Sequence, residues 1–284
     1  MEDIKLISIV VAYNPQYTKL RKDIESFISD VDLCVVWKNS FLTKQQLPYS
    51  EKIIYMGTEN NVGLGVAYNT VAQYGITHGF THLLIMDQDS CFDHDHFSLY
   101  KKYIIENKHR IRTIFSPNYN TRWGLMFPYA NEVSKISASQ GSGCIIPLSL
   151  ISELNGFRES FMVYGIDHDF CFKTIKNGGE IESIHFVILH HEAGHQYRQR
   201  KFLHKTVYPN EYSPASTYYL VRNELILFQE YSVPIKKIYD FLFYNVFKRF
   251  IFVLLYEKNK LLKIRALFLS VFHGIIKKEG EYKY

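Results

Sequence analysis

The sequence predicts an α/β fold, a Rossmann-like and mostly parallel sheet flanked by helices, with a helical extension at the C-terminus. Three observations predict it. The seven-residue β-branched run Leu6 to Ala12 reads as a strand covered on both faces. Strand-like runs then alternate with helically periodic ones across short polar links, the order of a parallel layer. Beyond residue 232, Phe, Leu and Ile are threaded with Lys and Arg at helical spacing.

Taken in order, Tyr13-Asn14-Pro15 closes the first strand and opens a helix, with Asn14 as N-cap and Pro15 at the first helical position. Tyr17, Leu20, Ile24, Phe27 and Ile28 share its apolar face. Leu33 to Trp37 is a second strand ending at Lys38-Asn39-Ser40, and Lys52 to Tyr55 a third. Glu59 to Asn69 is a glycine-containing loop opening a helix. Gly63 and Gly65 fit the first two positions of a dinucleotide fingerprint, but Tyr68 holds the third, and a tightly packed helix start needs no ligand. His82 to Met86 is a strand, and Phe97 to Ile105 lies in a helix. Thr113 to Ser139 shows no clear period; within it, Arg122 to Tyr129 is an aromatic loop that either stacks on a sugar or covers the core. Gln140-Gly141-Ser142-Gly143 leads into a short strand, Cys144 to Ile146, and Ile181 to Leu189 is another β-rich run.

Two pairs of carboxylates carry the chemistry. Asp87 and Asp89 follow the His82 strand, and side chains two residues apart on extended backbone point the same way. That makes either a seat for a hard divalent cation or a polar turn. Asp167 and Asp169 repeat the spacing ahead of a helical run, where a carboxylate serves as a helix cap or as a reactive group. Tyr13-Asn14, Asn39-Ser40, Asn60-Asn61 and Asp87-Asp89 all stand at strand ends, and in an open parallel sheet those ends share the ligand-binding edge. His191 to His195 matches the HExxH zinc-peptidase signature, which needs a helix. Gly194 and the β-branched run before His190 argue against one, and a single histidine reaching an acidic metal site is the better use of the segment.

The 284 residues suffice for a large core, and the 16% aromatic content is mostly core. Cys34, Cys91, Cys144 and Cys171 are scattered, without a CxxC pair, and read as free thiols of a reducing cytosol. Met1 to Lys5 runs straight into a strand, so no signal peptide is expected and the protein is placed in the cytoplasm. From Ile235 onward there are 11 Lys plus Arg against 4 Asp plus Glu, a surplus of seven, so the first 234 residues carry −2 of the net +5. Basic charge among apolar residues points to an anionic membrane face rather than nucleic acid. Phe241 to Tyr256, interrupted by Asn245, Lys248 and Arg249, is too broken to span a bilayer. Two amphipathic helices on the inner leaflet, or the same helices packed on the rest of the chain or on a second copy in a homodimer, are the open readings.

The ordered set Val10 to Pro15, Asn39-Ser40, Asn61 to Gly65 with Asn69, Asp87 to Ser90, Ser142-Gly143, Gly156-Phe157, Asp167 to Phe170, His191 with Gly194, and Tyr218 to Asn223 resembles a family 2 glycosyltransferase of the GT-A fold. It is most similar to the rhamnosyltransferase-like branch, over roughly residues 5 to 230. The resemblance implies a catalytic domain over 1–232, with a nucleotide-sugar half about 1–90 and an acceptor half about 91–232, then a basic tail over 233–284. It implies that Asp87 and Asp89 form the DxD motif, with Asp87, Asp89 and His191 around Mn2+ or Mg2+ and Asp167 as catalytic base. Ala12, Tyr13, Asn14, Asn39, Asn61 and Gly63 would line a dTDP- or UDP-linked donor, and Trp123, Ser142, Gly143 and Asp169 would face the acceptor. Lys38 stands where the family often has an acidic residue, and Ile166 where it often has Glu. The implied activity is inverting transfer of rhamnose or another hexose to a glycan or polyprenyl-diphosphate-linked acceptor in bacterial cell-surface polysaccharide synthesis.

Overall fold

The computed structural model describes residues 3–43, 47–93, 95–191, 199–202, 205–209 and 211–283. The chain divides into two compact units, Met1–Glu159 with Ile166–Ala193, and Ser160–Gly165 with Gly194–Tyr284. The sequence reading drew its line later, between 232 and 233.

The first unit is a sheet with helices. In chain order it comprises β1 (Leu6–Ala12), α1 (Tyr17–Glu25), β2 (Leu33–Lys38), β3 (Ile53–Met56), α2 (Leu64–Thr77), β4 (His82–Asp87), β5 (Ser90–Phe92) and α3 (His96–Glu106). Then come β6 (Thr113–Thr121), β7 (Gly124–Leu125), β8 (Val133–Lys135), β9 (Ile145–Pro147), α4 (Leu148–Glu153), α5 (Ile166–Lys176) and β10 (Glu180–His191). All seven residues of β1 are buried, as its unbroken apolar run requires. The strand order is β3-β2-β1-β4-β9-β6-β10-β5. β1, β2, β3 and β4 are parallel, and β6 and β10 are parallel to each other. β9 runs antiparallel to both β4 and β6, so the long strands on either side of it share one direction. The carboxyl ends of β1, β2, β4, β6 and β10 therefore open on one edge. Register fixes it: Val11 lies opposite Asp87 and Ala12 opposite Lys38.

Three local expectations are corrected. Asn14 is not a helix cap: α1 starts at Tyr17, and Asn14 has a left-handed φ of 46° with its N–H donated to Ser40 Oγ at 2.9 Å. The strand extended from residue 82 stops at Asp87, and Gln88 and Asp89 form a turn before β5. The unread stretch after Thr113 is a buried central strand despite Pro117. Proline removes a ladder hydrogen bond, and β10 yields by bulging between Ile184 and Ile188, directly across from Pro117 and Asn118.

The second unit holds the hairpin β11 (Arg200–Phe202) and β12 (Lys205–Val207), then α6 (Pro214–Glu230) and α7 (Ile235–Phe241). A π-helical turn, Leu242–Phe247, leads into α8 (Lys248–Tyr256), and α9 (Lys260–Ile275) follows. Ser213 caps α6, accepting the Ser216 N–H, with Pro214 at the first helical position. Tyr218 and Tyr219 of α6, Ala266 of α9 and Tyr282 form its apolar centre. Among the described residues no helix is long and apolar enough to cross a membrane.

Candidate functional site

The site lies on the common strand edge of the first unit. Asp87 ends β4, and its backbone N–H donates to the hydroxyl of buried Ser142 at 3.0 Å. The turn then carries Asp89 round and Ser90 into β5, which pairs antiparallel with the end of β10 and sets Ser90 opposite His191. That pairing brings a histidine from another strand to the acidic turn. Ligand atoms of Asp87, Asp89 and His191 all lie within 4.8 Å of one another. His191 Nδ1 is 2.8 Å from Ser90 Oγ and 3.8 Å from Asp87 Oδ2. The acidic pair thus sits at a polar turn, and its oxygens lie with the imidazole where they could hold a cation.

Electrostatics agree with that use. The Asp87 carboxyl is pushed up to about 6, first by burial, with the Asp89 and Asp167 charges adding to the rise and His191 opposing it. Its side chain keeps 39% of its surface in contact with solvent. Two carboxylate oxygens and an imidazole nitrogen suit Mn2+ or Mg2+, and the crowded negative charge is what such an ion would relieve.

Asp167 stands in the first turn of α5. It does not cap its own helix; Oδ2 accepts the N–H of Gly141, in the loop before β9, at 3.1 Å. A Cβ added at Gly141 would meet the Asp167 Cβ at 3.6 Å. Tyr68 is buried close enough to both sides that the Asp87 and Asp167 charges, after burial, help hold its phenol well above the ordinary tyrosine range. The residue that broke the dinucleotide fingerprint is part of the wall between the two halves of the site.

The loops at the ends of β1 and β2 are tied together. Gln88, between the two aspartates, accepts the Tyr13 N–H at 2.7 Å and donates to the Tyr13 carbonyl at 3.1 Å. It joins the end of β4 to the end of β1, a role its sequence position gave no sign of. Buried Asn39 donates to Asn61 Oδ1 at 3.1 Å and accepts the Val62 N–H at 3.0 Å, while Asn61 Oδ1 also accepts the Gly63 N–H at 3.1 Å. Gly63 has φ 83° and precedes α2, a conformation that favours glycine. These residues shape the loop wall beside Ala12, which is buried, and Tyr13, which is half exposed. Lys38 is paired with Glu59 at 3.2 Å.

The four residues expected at the acceptor part company. Ser142 is buried and committed to Asp87 and, through its carbonyl, to the Tyr119 hydroxyl at 2.8 Å. Gly143 has φ 80°, and a Cβ there would meet Pro117 at 2.6 Å. Asp169 is buried against Arg158 at 3.3 Å and Lys173 at 3.9 Å. Only Trp123 projects: it is 75% exposed at the turn after β6, with the Arg122 guanidinium 5.3 Å from its ring centre. Phe127 in the same loop stacks on His185 at 4.4 Å and serves as cover. The zinc-peptidase alternative loses its geometry at His191, which is the last residue of a strand; His195 lies outside the described residues.

No family model and no curated protein matches the sequence. Solved structures do match. GalNAc-T7 with UDP, GalNAc and Mn2+ superposes with a TM-score of 0.57 at 11% identity, covering 80% of this chain and 48% of that one, so this chain spans about half its length. S. aureus TarS residues 1–349 with UDP-GlcNAc superposes with a TM-score of 0.56 at 14% identity, covering 96% of this chain and 82% of that one. A second structure of S. aureus TarS 1–349 gives 0.54, again at 14% identity, over 96% of this chain and 81% of that one. Strand order, the acidic turn after β4 and these superpositions agree: the chain has the GT-A fold of nucleotide-sugar glycosyltransferases.

Proposed function

We propose that the protein is an inverting, metal-dependent glycosyltransferase that uses a nucleotide-diphosphate sugar. The observation that carries this reading is the convergence of Asp87, Asp89 and His191 at the strand edge, with Asp167 beside them on a separate element. Asp87, Asp89 and His191 would hold the divalent cation, which when bound neutralises the charge of the departing diphosphate. Asp167, one oxygen held by the Gly141 amide, takes the proton of an acceptor hydroxyl. The hydroxyl oxygen bonds to the anomeric carbon as that carbon's bond to the diphosphate oxygen breaks, and the bonding pair leaves with the diphosphate. The loop wall of Tyr13, Asn14, Asn39 and Asn61 receives the nucleoside, and exposed Trp123 offers a ring for an acceptor sugar to stack on.

UDP in the GalNAc-T7 structure and UDP-GlcNAc in the TarS structure support UDP-sugars as the first donors to try, with dTDP-rhamnose beside them for the rhamnosyltransferase-like branch. The acceptor class we assign is a glycan or a lipid-linked glycan of a bacterial cell surface. Donor hydrolysis and thermal shift across UDP- and dTDP-sugars, with Mn2+ and with EDTA, test the reading. One donor should give Mn2+-dependent hydrolysis that Asp89→Asn abolishes. Donor stabilisation without hydrolysis or transfer would leave a binding protein instead.

A further inference from the structure

The second unit carries an apolar surface that its own core leaves uncovered. Helix α9 is apolar on two faces. Ala266, Leu267 and Gly274 turn inward with Lys263 and Ser270, and a Cβ on Gly274 would meet Leu225 of α6 at 2.8 Å. On the opposite face Leu261, Phe268, Phe272 and Ile275 recur at three- and four-residue spacing and are 84%, 64%, 57% and 62% exposed. The preceding helical stretch repeats the pattern with exposed Ile235, Tyr239, Phe243 and Phe247, and α7 and the π-helical turn bury none of their residues. Phe250 of α8 meets Phe268 of α9 edge to face at 6.2 Å, so the two stripes adjoin. Exposed large apolar side chains recurring along two helical stretches mark a surface built for an apolar partner.

Charge identifies the partner. Two cations of the tail turn inward: Lys263 pairs with buried Glu257 at 2.7 Å, and Arg249 lies 3.6 Å from the same carboxylate. Arg265 stays in the outward stripe, Lys236, Lys258, Lys260 and Lys278 are exposed in the same unit, and Lys277 pairs with Glu230 at 3.9 Å. A second copy docked by the same face would set a basic surface against itself, and interface cores are depleted in lysine. Nucleic acid gives large alternating apolar rings nothing to enter. We propose that this face of the second unit lies on an anionic lipid bilayer, with the α9 rings at the acyl boundary and the lysines among the headgroups. The proposal does not depend on the sugar chemistry.

The test uses full-length protein and flotation with two kinds of vesicle, phosphatidylcholine alone and phosphatidylcholine with about one third phosphatidylglycerol. Protein should float with the anionic vesicles and be released as salt rises. Phe268→Ser with Phe272→Ser, both exposed in the folded chain, should keep the wild-type melting profile and reduce partitioning roughly ten-fold or more. Lys260→Glu with Arg265→Glu should do the same through charge. Equal binding by the wild type and the Phe variant, equal binding to neutral and anionic vesicles, or no flotation would each overturn the proposal. So would a dimer in light scattering that the Phe variant dissolves while vesicle binding is absent.

Discussion

Asp87/Asp89 and Asp167/Asp169 have the same spacing and opposite fates. At the end of β4 the backbone is extended and then turns, so both carboxylates stay on one side and His191 joins them. At the start of α5 the backbone is helical, and residues two apart point in divergent directions. Asp167 therefore reaches the Gly141 amide while Asp169 turns inward to Arg158 and Lys173. The second difference is charge. Asp169 has its cations built in, whereas Asp87 feels the charges of Asp89 and Asp167 as well as that of His191.

Breaking each pair separately should give three distinct signatures, and the largest is catalytic. Asp167→Asn should lower turnover by about 10²- to 10⁴-fold, the usual worth of a general base, and leave Mn2+ and donor binding near wild type. Asp89→Asn should instead weaken Mn2+ binding, by about 10- to 100-fold or more, and donor binding with it. Isothermal titration and single-turnover assays separate the two. Ordinary turnover by Asp167→Asn would remove that residue from the chemistry.

Next in size is the inward member of the second pair. Asp169→Asn takes the buried carboxylate away from Arg158 and Lys173, and burial already pulls the Lys173 amine below the ordinary lysine range. Both cations reach some solvent, so the loss belongs at the low end for a broken buried pair, about 3 kcal/mol. In a chain of this size that is a fall of roughly 6 to 12 °C in Tm. Mn2+ affinity should not move. A variant that melts normally but binds acceptor poorly would return Asp169 to the acceptor role its motif implied.

The contrast shows what a sequence can and cannot convey. Strand β1, the acidic turn and the shared edge were legible because apolar period and strand-end polarity are local properties. The meeting of His191 with Asp87 and Asp89 depends on β5 pairing with the end of β10, a contact across about a hundred positions; the residues pointed to one histidine of the segment, and the family resemblance singled out His191. Strand β6 was illegible because Pro117 argues against a central strand, and its accommodation is a bulge in a different strand. The roles of Ser142 and Gln88 are backbone hydrogen bonds, and side-chain type alone does not distinguish a buried strut from a substrate contact. The tail was half legible: it is helical as the apolar spacing implies, but in three helices and a π-helical turn rather than two helices, and Arg249 and Lys263, part of its basic surplus, are buried against Glu257.

The effect that is smallest at neutral pH comes from the far end of β4 and separates the site from ordinary acid unfolding. His82 begins the strand that Asp87 ends; it is 6% exposed, and burial lowers its imidazole to about 4. The unfolded chain takes up a proton near 6.5, while the folded protein resists until about 4. Stability from this residue is thus fully present above pH 6.5 and is lost as pH falls from 6.5 towards 4, by up to about 3 kcal/mol at the lower end. His82→Gln cannot take up that proton. It should lose little at pH 7 beyond the contact with Thr81 Oγ1, and its melting temperature should fall less steeply than wild type between pH 6.5 and 4. Parallel melting curves for the two proteins across that range would show that His82 is not held neutral. If the curves diverge as expected, changes that remain in His82→Gln below pH 6.5 can be attributed to groups such as the Asp87 cluster.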